Sequence, residues 1–140
     1  MAKRGIPLDR ILRVRTLQLN LTRVEEVAAR DRVTGEIELR NRIRQLSAGV
    51  APAPSAVEAF SFIAAAHFRE RLQQSEQVAD NRVRQAEVKL EQASRATREA
   101  RRDQAAVEKL IERDAARDAL KAIRALEEAP PVRQNRHDPC

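Results

Sequence analysis

The chain has 140 residues, of which 34% are charged, and its formal net charge is +6. It contains three phenylalanines and neither tyrosine nor tryptophan. A compact globular domain of this length fills its core with bulky side chains, and a sheet protein needs more β-branched and aromatic residues, so the composition argues against both classes. It is typical of long helices and coiled coils.

The first predicted helix spans residues 7–46 and begins at Pro7, because proline is tolerated at the first position of a helix. Its apolar residues recur in steps of three and four, which predicts the face that packs against another helix. Around Gly35 a gap in this pattern shifts the heptad register, which predicts a local bend. The apolar set is Val14, Leu17, Leu21, Val24, Ala28, Leu39, Ile43 and Leu46.

A predicted loop at residues 47–55 separates the two helices. Pro52 and Pro54 disfavour a helical conformation in the residues that precede them. Ser55 and Glu58 then match the capping-box pattern, in which two side chains satisfy the free N–H groups at the start of a helix. A second helix is therefore expected to begin directly after the loop.

The second predicted helix spans residues 56–128 and contains no glycine or proline. Its apolar residues follow mainly alternating steps of three and four, which predicts a coiled-coil seam. Residues 1–128 are expected to form one domain, and the polar tail at residues 129–140 is expected to be disordered. The seam residues are Phe68, Leu72, Ala79, Val83, Ala86, Leu90, Ala93, Thr97, Ala100, Val107, Ile111, Ala115, Ala119, Ala122 and Leu126.

The two predicted helices differ in length, at roughly 60 Å and 110 Å from the helical rise per residue. A hairpin closing at the loop would set Leu46 near Val57 and Pro7 near Ala96, so residues after Thr97 would lack an intramolecular partner. We therefore predict an all-α fold, a long two-helix antiparallel coiled coil (a helical hairpin) with an overhanging C-terminal helix. An apolar stripe left in water is a surface for binding a partner or for self-association, unless the overhang merely frays. Its candidate partner-binding residues are Val107, Leu110, Ile111, Leu120 and Ile123.

All the aromatic residues lie between Phe60 and Phe68, in the first turns of the second predicted helix. Their rings either seal the tip of the hairpin or form a second contact surface. Phe60 and Phe62 are two positions apart and point in different directions on a helix. We predict that Phe60 belongs to the seam and Phe62 faces a partner. Phe60, Phe62 and Ile63 are the candidate contact residues at this end.

No sequence pattern predicts catalysis, a metal ion or a cofactor. His67 and His137 lie far apart, and neither has another His or Cys at the spacing of metal ligands. The chain has neither a glycine-rich phosphate loop nor a nucleophile elbow. A two-helix rod also lacks the concave, water-excluding cavity that catalysis needs. We therefore expect a protein that is not an enzyme.

The positive charge raises the question of nucleic-acid binding. Acidic residues are interleaved along the chain and aromatic stacking platforms are missing, and both features argue against such binding.

The longest apolar run, Phe60 to Phe68, is far shorter than the ~20 residues that span a membrane. The single cysteine, Cys140, fits a reducing cytoplasm. These features predict a cytoplasmic protein that does not insert into a membrane.

A basic N-terminus, a first helix, a tip of small residues and the Phe62–Ile63 pair opening a longer helix together resemble the FliJ family. Its members are flagellar export proteins, with YscO-type counterparts in injectisomes. The Arg-, Glu- and Gln-rich stretch at residues 69–124 is similar to the family's C-terminal helix, and the likeness covers about residues 8–128. The family often has a tyrosine where this chain has Ala59.

The resemblance implies a cytoplasmic component of a type III protein export apparatus, peripheral to the inner membrane. It implies that the coiled coil occupies the centre of a hexameric export ATPase, contacts the export-gate membrane protein and escorts export chaperones. A self-associating cytoskeletal or scaffolding coiled coil stays open as an alternative.

Overall fold

Two long helices make up the protein in a computed structural model that describes residues 5–49 and 59–130. Helix α1 spans Gly5–Gly49 and helix α2 spans Ala59–Glu127. They pack along each other in antiparallel directions, since Arg15 near the start of α1 contacts Asp103 while Arg44 near its end contacts Asp80. The prediction of an all-α helical hairpin is confirmed.

The boundaries of α1 differ slightly from the predicted ones. The helix continues through Ser47 to Gly49, which were expected in the loop, and glycine is common at the end of a helix. At its start it includes Gly5, because proline at position 7 is still within the first turn, where its missing N–H costs nothing. The predicted loop residues 50–55, the Ser55–Glu58 cap and the tail after Pro130 lie outside the described residues.

The central part of the predicted α2 seam forms the core of the hairpin, whereas its residues from Ala115 onward are exposed. Ala79, Val83 and Ala86 are between 2% and 5% exposed, and Val107 is 8% exposed. Because alanine is small, it lets the two helix backbones approach each other, but it contributes little apolar area of its own. The core is therefore thin and extends along the length of the hairpin.

The predicted packing face of α1 is wrong over its N-terminal half, and toward the C-terminal end Leu39 and Leu46 are exposed as well. Leu17, Leu21 and Val24 are between 63% and 68% exposed and face away from α2, whereas Leu19 is only 3% exposed. The buried and half-buried residues of α1 lie two positions away from the predicted ones, which is the opposite side of a helix. The observed seam of α1 contains Leu8, Leu12, Thr16, Leu19, Thr22, Glu26, Ala29, Val33, Ile37, Arg40, Ile43 and Ser47.

The observed seam has no gap near Gly35, where the predicted pattern had one, and the local bend stays a prediction. Its residues follow regular steps of three and four through this region, from Ala29 to Val33 and on to Ile37. The gap in the heptad pattern lies in the set of apolar residues that is exposed, whereas the residues that pack against α2 show no such gap. Helix α1 accordingly runs without interruption through Gly35.

The register of the hairpin differs from the predicted pairing as well. Thr22 lies beside Thr97 and Arg15 beside Asp103, whereas the predicted pairing set Pro7 beside Ala96. Helix α1 thus covers α2 to about Asp114, which is half-buried, and every described residue after it is exposed. The C-terminal overhang exists, but it begins later than predicted.

Candidate partner-binding surfaces

Three polar contacts across the N-terminal half of α1 hold the two helices in register. The Thr97 hydroxyl donates a hydrogen bond to the Thr22 carbonyl at 3.1 Å, and the Gln104 amide donates to the Thr16 hydroxyl at 3.2 Å. Arg15 donates to the Asp103 carboxylate at 2.9 Å. Each of the two part-buried hydrogen bonds contributes about 1 kcal/mol, and the exposed ion pair about 0–1 kcal/mol. All three contacts are lost if α1 slides or rotates, so they favour the observed packing.

A second polar cluster crosses the seam near the other end of α1. The Asp80 carboxylate accepts from Arg44 at 3.1 Å and lies 3.9 Å from Arg40. Beside it, Glu36 Oε2 and Arg40 Nε are buried without a hydrogen-bond partner within the described residues. Polar atoms buried in this way cost free energy, so this part of the seam is less tightly held than the N-terminal part.

With α1 fixed in this orientation, its most apolar face is exposed. We call this face the outer stripe, and it follows the steps of three and four typical of a helix-packing surface. The six side chains are between 44% and 68% exposed, and no other part of the described chain covers them. They are Ile11, Val14, Leu17, Leu21, Val24 and Val27.

The C-terminal extension, residues 115–127, is the second uncovered surface. Leu120 is 57%, Ile123 51% and Leu126 76% exposed. The first two were predicted as contact residues, and the structure places them together on the part of α2 that α1 does not reach. This is the surface that agrees best with the sequence-based interpretation.

The other predicted residues of the overhang lie beside α1. Val107 is buried in the seam at 8% exposure, so its assignment to a free contact surface is wrong. Ile111 is half-buried on the same face, which corrects its assignment too. Leu110 is 47% exposed and points away from the seam. The reason is the register, which extends α1 farther along α2 than predicted.

The third uncovered surface lies in the N-terminal segment of α2, over residues 62–70. Phe62 is 66%, Ile63 60% and Phe68 51% exposed, so Phe62 and Ile63 are available to a partner as predicted. Phe68 was assigned to the seam and instead faces solvent. Phe60 lies in α2, but its side chain is outside the described residues, and its predicted seam position stays a prediction.

Sequence reasoning missed the outer stripe as a contact surface because it assigned those residues to the intramolecular seam. The available signal was the pair of apolar faces on α1. Leu12 and Leu19 follow one face, and Val14, Leu17 and Leu21 follow the other. A helix with two apolar faces is expected to pack on two sides.

The surfaces contain no arrangement with an obvious chemical role. In the described residues, no three His, Cys, Asp or Glu side chains are grouped so that they could hold a metal ion. Neither helix, over the residues described, has an apolar stretch long enough to cross a membrane. Comparisons with protein-family models, with curated proteins and with solved structures each found no significant match. The fold and its surfaces define a two-helix coiled coil with three uncovered apolar regions.

Proposed function

We propose that this chain is a non-catalytic coiled-coil stalk of a flagellar or related type III protein export apparatus. In this proposal the C-terminal extension inserts into the centre of the hexameric export ATPase, and the N-terminal segment of α2 contacts the export-gate membrane protein. The outer stripe of α1 is the surface on which export chaperones are carried. The protein acts in the cytoplasm, peripheral to the inner-membrane apparatus.

The observation that supports the proposal most directly is that α2 extends beyond α1 at both ends of the rod. Leu120, Ile123 and Leu126 project from one end of the rod, and Phe62 and Ile63 from the other. A stalk that joins a ring to a membrane protein needs a contact surface at each end and a stiff connection between them. A helix of 69 residues, about 100 Å long, supplies that connection.

The absence of catalysis is part of the same proposal. The grooves between the two helices are open to solvent; Leu39 and Val78 line one, and Arg32 and Lys89 line another. Catalytic groups act in sites that exclude water and hold the reacting atoms in place. A rod of two helices instead offers long surfaces, which suit the binding of other proteins.

A self-associating cytoskeletal or scaffolding coiled coil is the second candidate. The observation that favours it is the outer stripe, where Leu17, Leu21 and Val24 form a second helix-packing face on α1. A second copy of the chain would cover this face. Sedimentation velocity separates the two functions, because a scaffold forms dimers or larger assemblies at micromolar concentration and a stalk alone stays monomeric.

The stalk proposal is tested with the export ATPase hexamer and the cytoplasmic part of the export gate from the same genome. Leu120→Asp places a charge on the C-terminal extension, and we expect it to reduce ATPase binding at least about tenfold. Phe62→Ala should leave ATPase binding unchanged and weaken gate binding. Both affinities are measured by surface plasmon resonance, with circular dichroism to verify that the variants stay helical.

Val88→Asp is the matched control, because Val88 and Leu120 are both 57% exposed and Val88 lies in the middle of the rod. It should bind the ATPase and the gate like the unmodified protein. Equal losses from Leu120→Asp and Val88→Asp, or no loss from either, would contradict insertion of the C-terminal extension into the ring.

A further inference from the structure

A groove between the two helices, near the hairpin end, has an apolar floor and a basic rim. Its volume is about 450 Å³. Leu39 and Ile43 of α1 and Val78 and Ala79 of α2 form the floor, and Arg71 and Arg82 stand at its two ends on α2. The other two lining residues are uncharged, so no carboxylate lines the groove.

The charge of this face comes from cations that have no partner in the described part of the chain. Neither Arg71 nor Arg82 lies within 4.0 Å of a carboxylate there, unlike the arginines that pair with Asp80 and Asp103. Asp80 lies on the other side of α2 from Val78, about 200° around the helix axis at 100° per residue. It is already paired with Arg44. Asp80 therefore does not neutralise the groove, and the neighbouring acids Glu70 and Glu76 are not among its lining residues.

The basic character continues toward the middle of the rod. The adjoining groove shares Arg82 and adds Arg32 of α1 and Lys89 of α2, with Glu36 as its single acid. Three cations against one carboxylate leave this face with an excess of positive charge. The excess attracts an acidic ligand and repels a basic one.

The shape of the groove suits a helix. Arg71, Val78 and Arg82 recur at helical spacing on one face, and the eleven steps from Arg71 to Arg82 span about 16 Å, or three helical turns. A third helix lying between two antiparallel helices completes a three-helix bundle, and it satisfies its own backbone hydrogen bonds. Leu39 and Val78, at 39% and 57% exposed, would be covered by its apolar side chains.

From this we infer that the groove binds an acidic amphipathic helix of a partner protein, with its apolar residues on Leu39 and Val78 and its carboxylates on Arg71 and Arg82. A second copy of this chain fits less well. The chain carries a net charge of +6, and the acids of its C-terminal extension alternate with bases such as Arg117 and Lys121. This inference is independent of the export proposal, since it rests on the groove alone.

The probe is a fluorescently labelled helical peptide of about three heptads, with leucine at positions a and d and glutamate at e and g. The mutual repulsion of its glutamates opposes self-association. A second peptide carries lysine at e and g. Fluorescence anisotropy with the full chain should show saturable binding of the glutamate peptide, weakened by salt, and no binding of the lysine peptide.

Variants of the chain locate the binding. Arg71→Glu with Arg82→Glu should weaken binding of the glutamate peptide at least about tenfold. Arg95→Glu with Arg102→Glu makes the same change of charge at exposed positions outside the groove and should have a much smaller effect. Val78→Asp should also abolish binding, whereas Val88→Asp, which is equally exposed, should not. Circular dichroism verifies that each variant is folded.

Four results would overturn the inference. They are an absence of saturable binding, equal binding of the two peptides, equal losses from the groove and control variants, and a dimer in sedimentation velocity that Val78→Asp dissociates. The last result would assign the groove to a second copy of the chain.

Discussion

Val107 and Leu110 lie three positions apart on α2 and have opposite environments. Val107 is 8% exposed in the seam, and Leu110 is 47% exposed. The sequence-based interpretation placed both on the same free surface. The difference arises from the register of the two helices. With Arg15 beside Asp103, α1 extends past this part of α2 and covers Val107 but not Leu110.

A pair of aspartate substitutions tests this difference at the residue scale. Val107→Asp buries a charge without a partner, and we expect it to lower the free energy of unfolding by more than about 2 kcal/mol. Leu110→Asp should change it by no more than about 0.5 kcal/mol, as is usual at exposed positions. Thermal unfolding followed by circular dichroism measures both. Equal, small effects would mean that α1 does not reach Val107.

At the scale of the helices, the orientation of α1 decides which of its two apolar faces is exposed. Its seam includes Thr22 and Glu26, while Leu21 and Val24 face solvent. The polar pairing of Thr22 with Thr97 and of Thr16 with Gln104 favours this orientation, because rotating α1 would break both hydrogen bonds between the helices. The apolar face of α1 is thereby left available to another protein.

Alanine substitutions at two neighbouring leucines of α1 test this orientation. Leu19 is 3% exposed and Leu17 is 63% exposed. Leu19→Ala should therefore cost about 2–3 kcal/mol of stability, and Leu17→Ala should cost less than about 0.5 kcal/mol. Urea unfolding at equilibrium gives both values. The reverse order of effects would mean that the outer stripe is the true seam.

At the scale of the whole molecule, the protein is a rod whose length is set by α2. The 69 residues of that helix give a length of about 100 Å. A compact protein of the same chain length has a radius of gyration near 15 Å, so the two shapes are easily distinguished.

Small-angle X-ray scattering of the full chain should therefore give a maximum dimension of at least about 100 Å. Concentrations should be kept low enough for the scattered intensity at zero angle to correspond to 15.8 kDa, the mass of one chain. A maximum dimension near 50 Å would show that α2 folds back on itself and would contradict the rod. An intensity corresponding to two chains would favour the self-associating scaffold.

The sequence by itself determined the class of fold and the seam of α2. The low aromatic content and the long segment without glycine or proline exclude a compact core and favour long helices. On α2, the alternating steps through Ala79, Val83 and Ala86 predicted the buried face correctly. The exposure of Leu120 and Ile123 followed from the difference in helix length. These results depend on local periodicity, which is present in a single sequence.

Only the tertiary structure decided how α1 lies against α2. Periodicity identifies residues that share a face, but α1 has two apolar faces and periodicity does not choose between them. The choice depends on contacts between residues far apart in sequence, such as Thr22 with Thr97 and Arg15 with Asp103. The same contacts set the register, and with it the burial of Val107. The partners in these contacts lie on the other helix, so the contacts form only when both helices are in place.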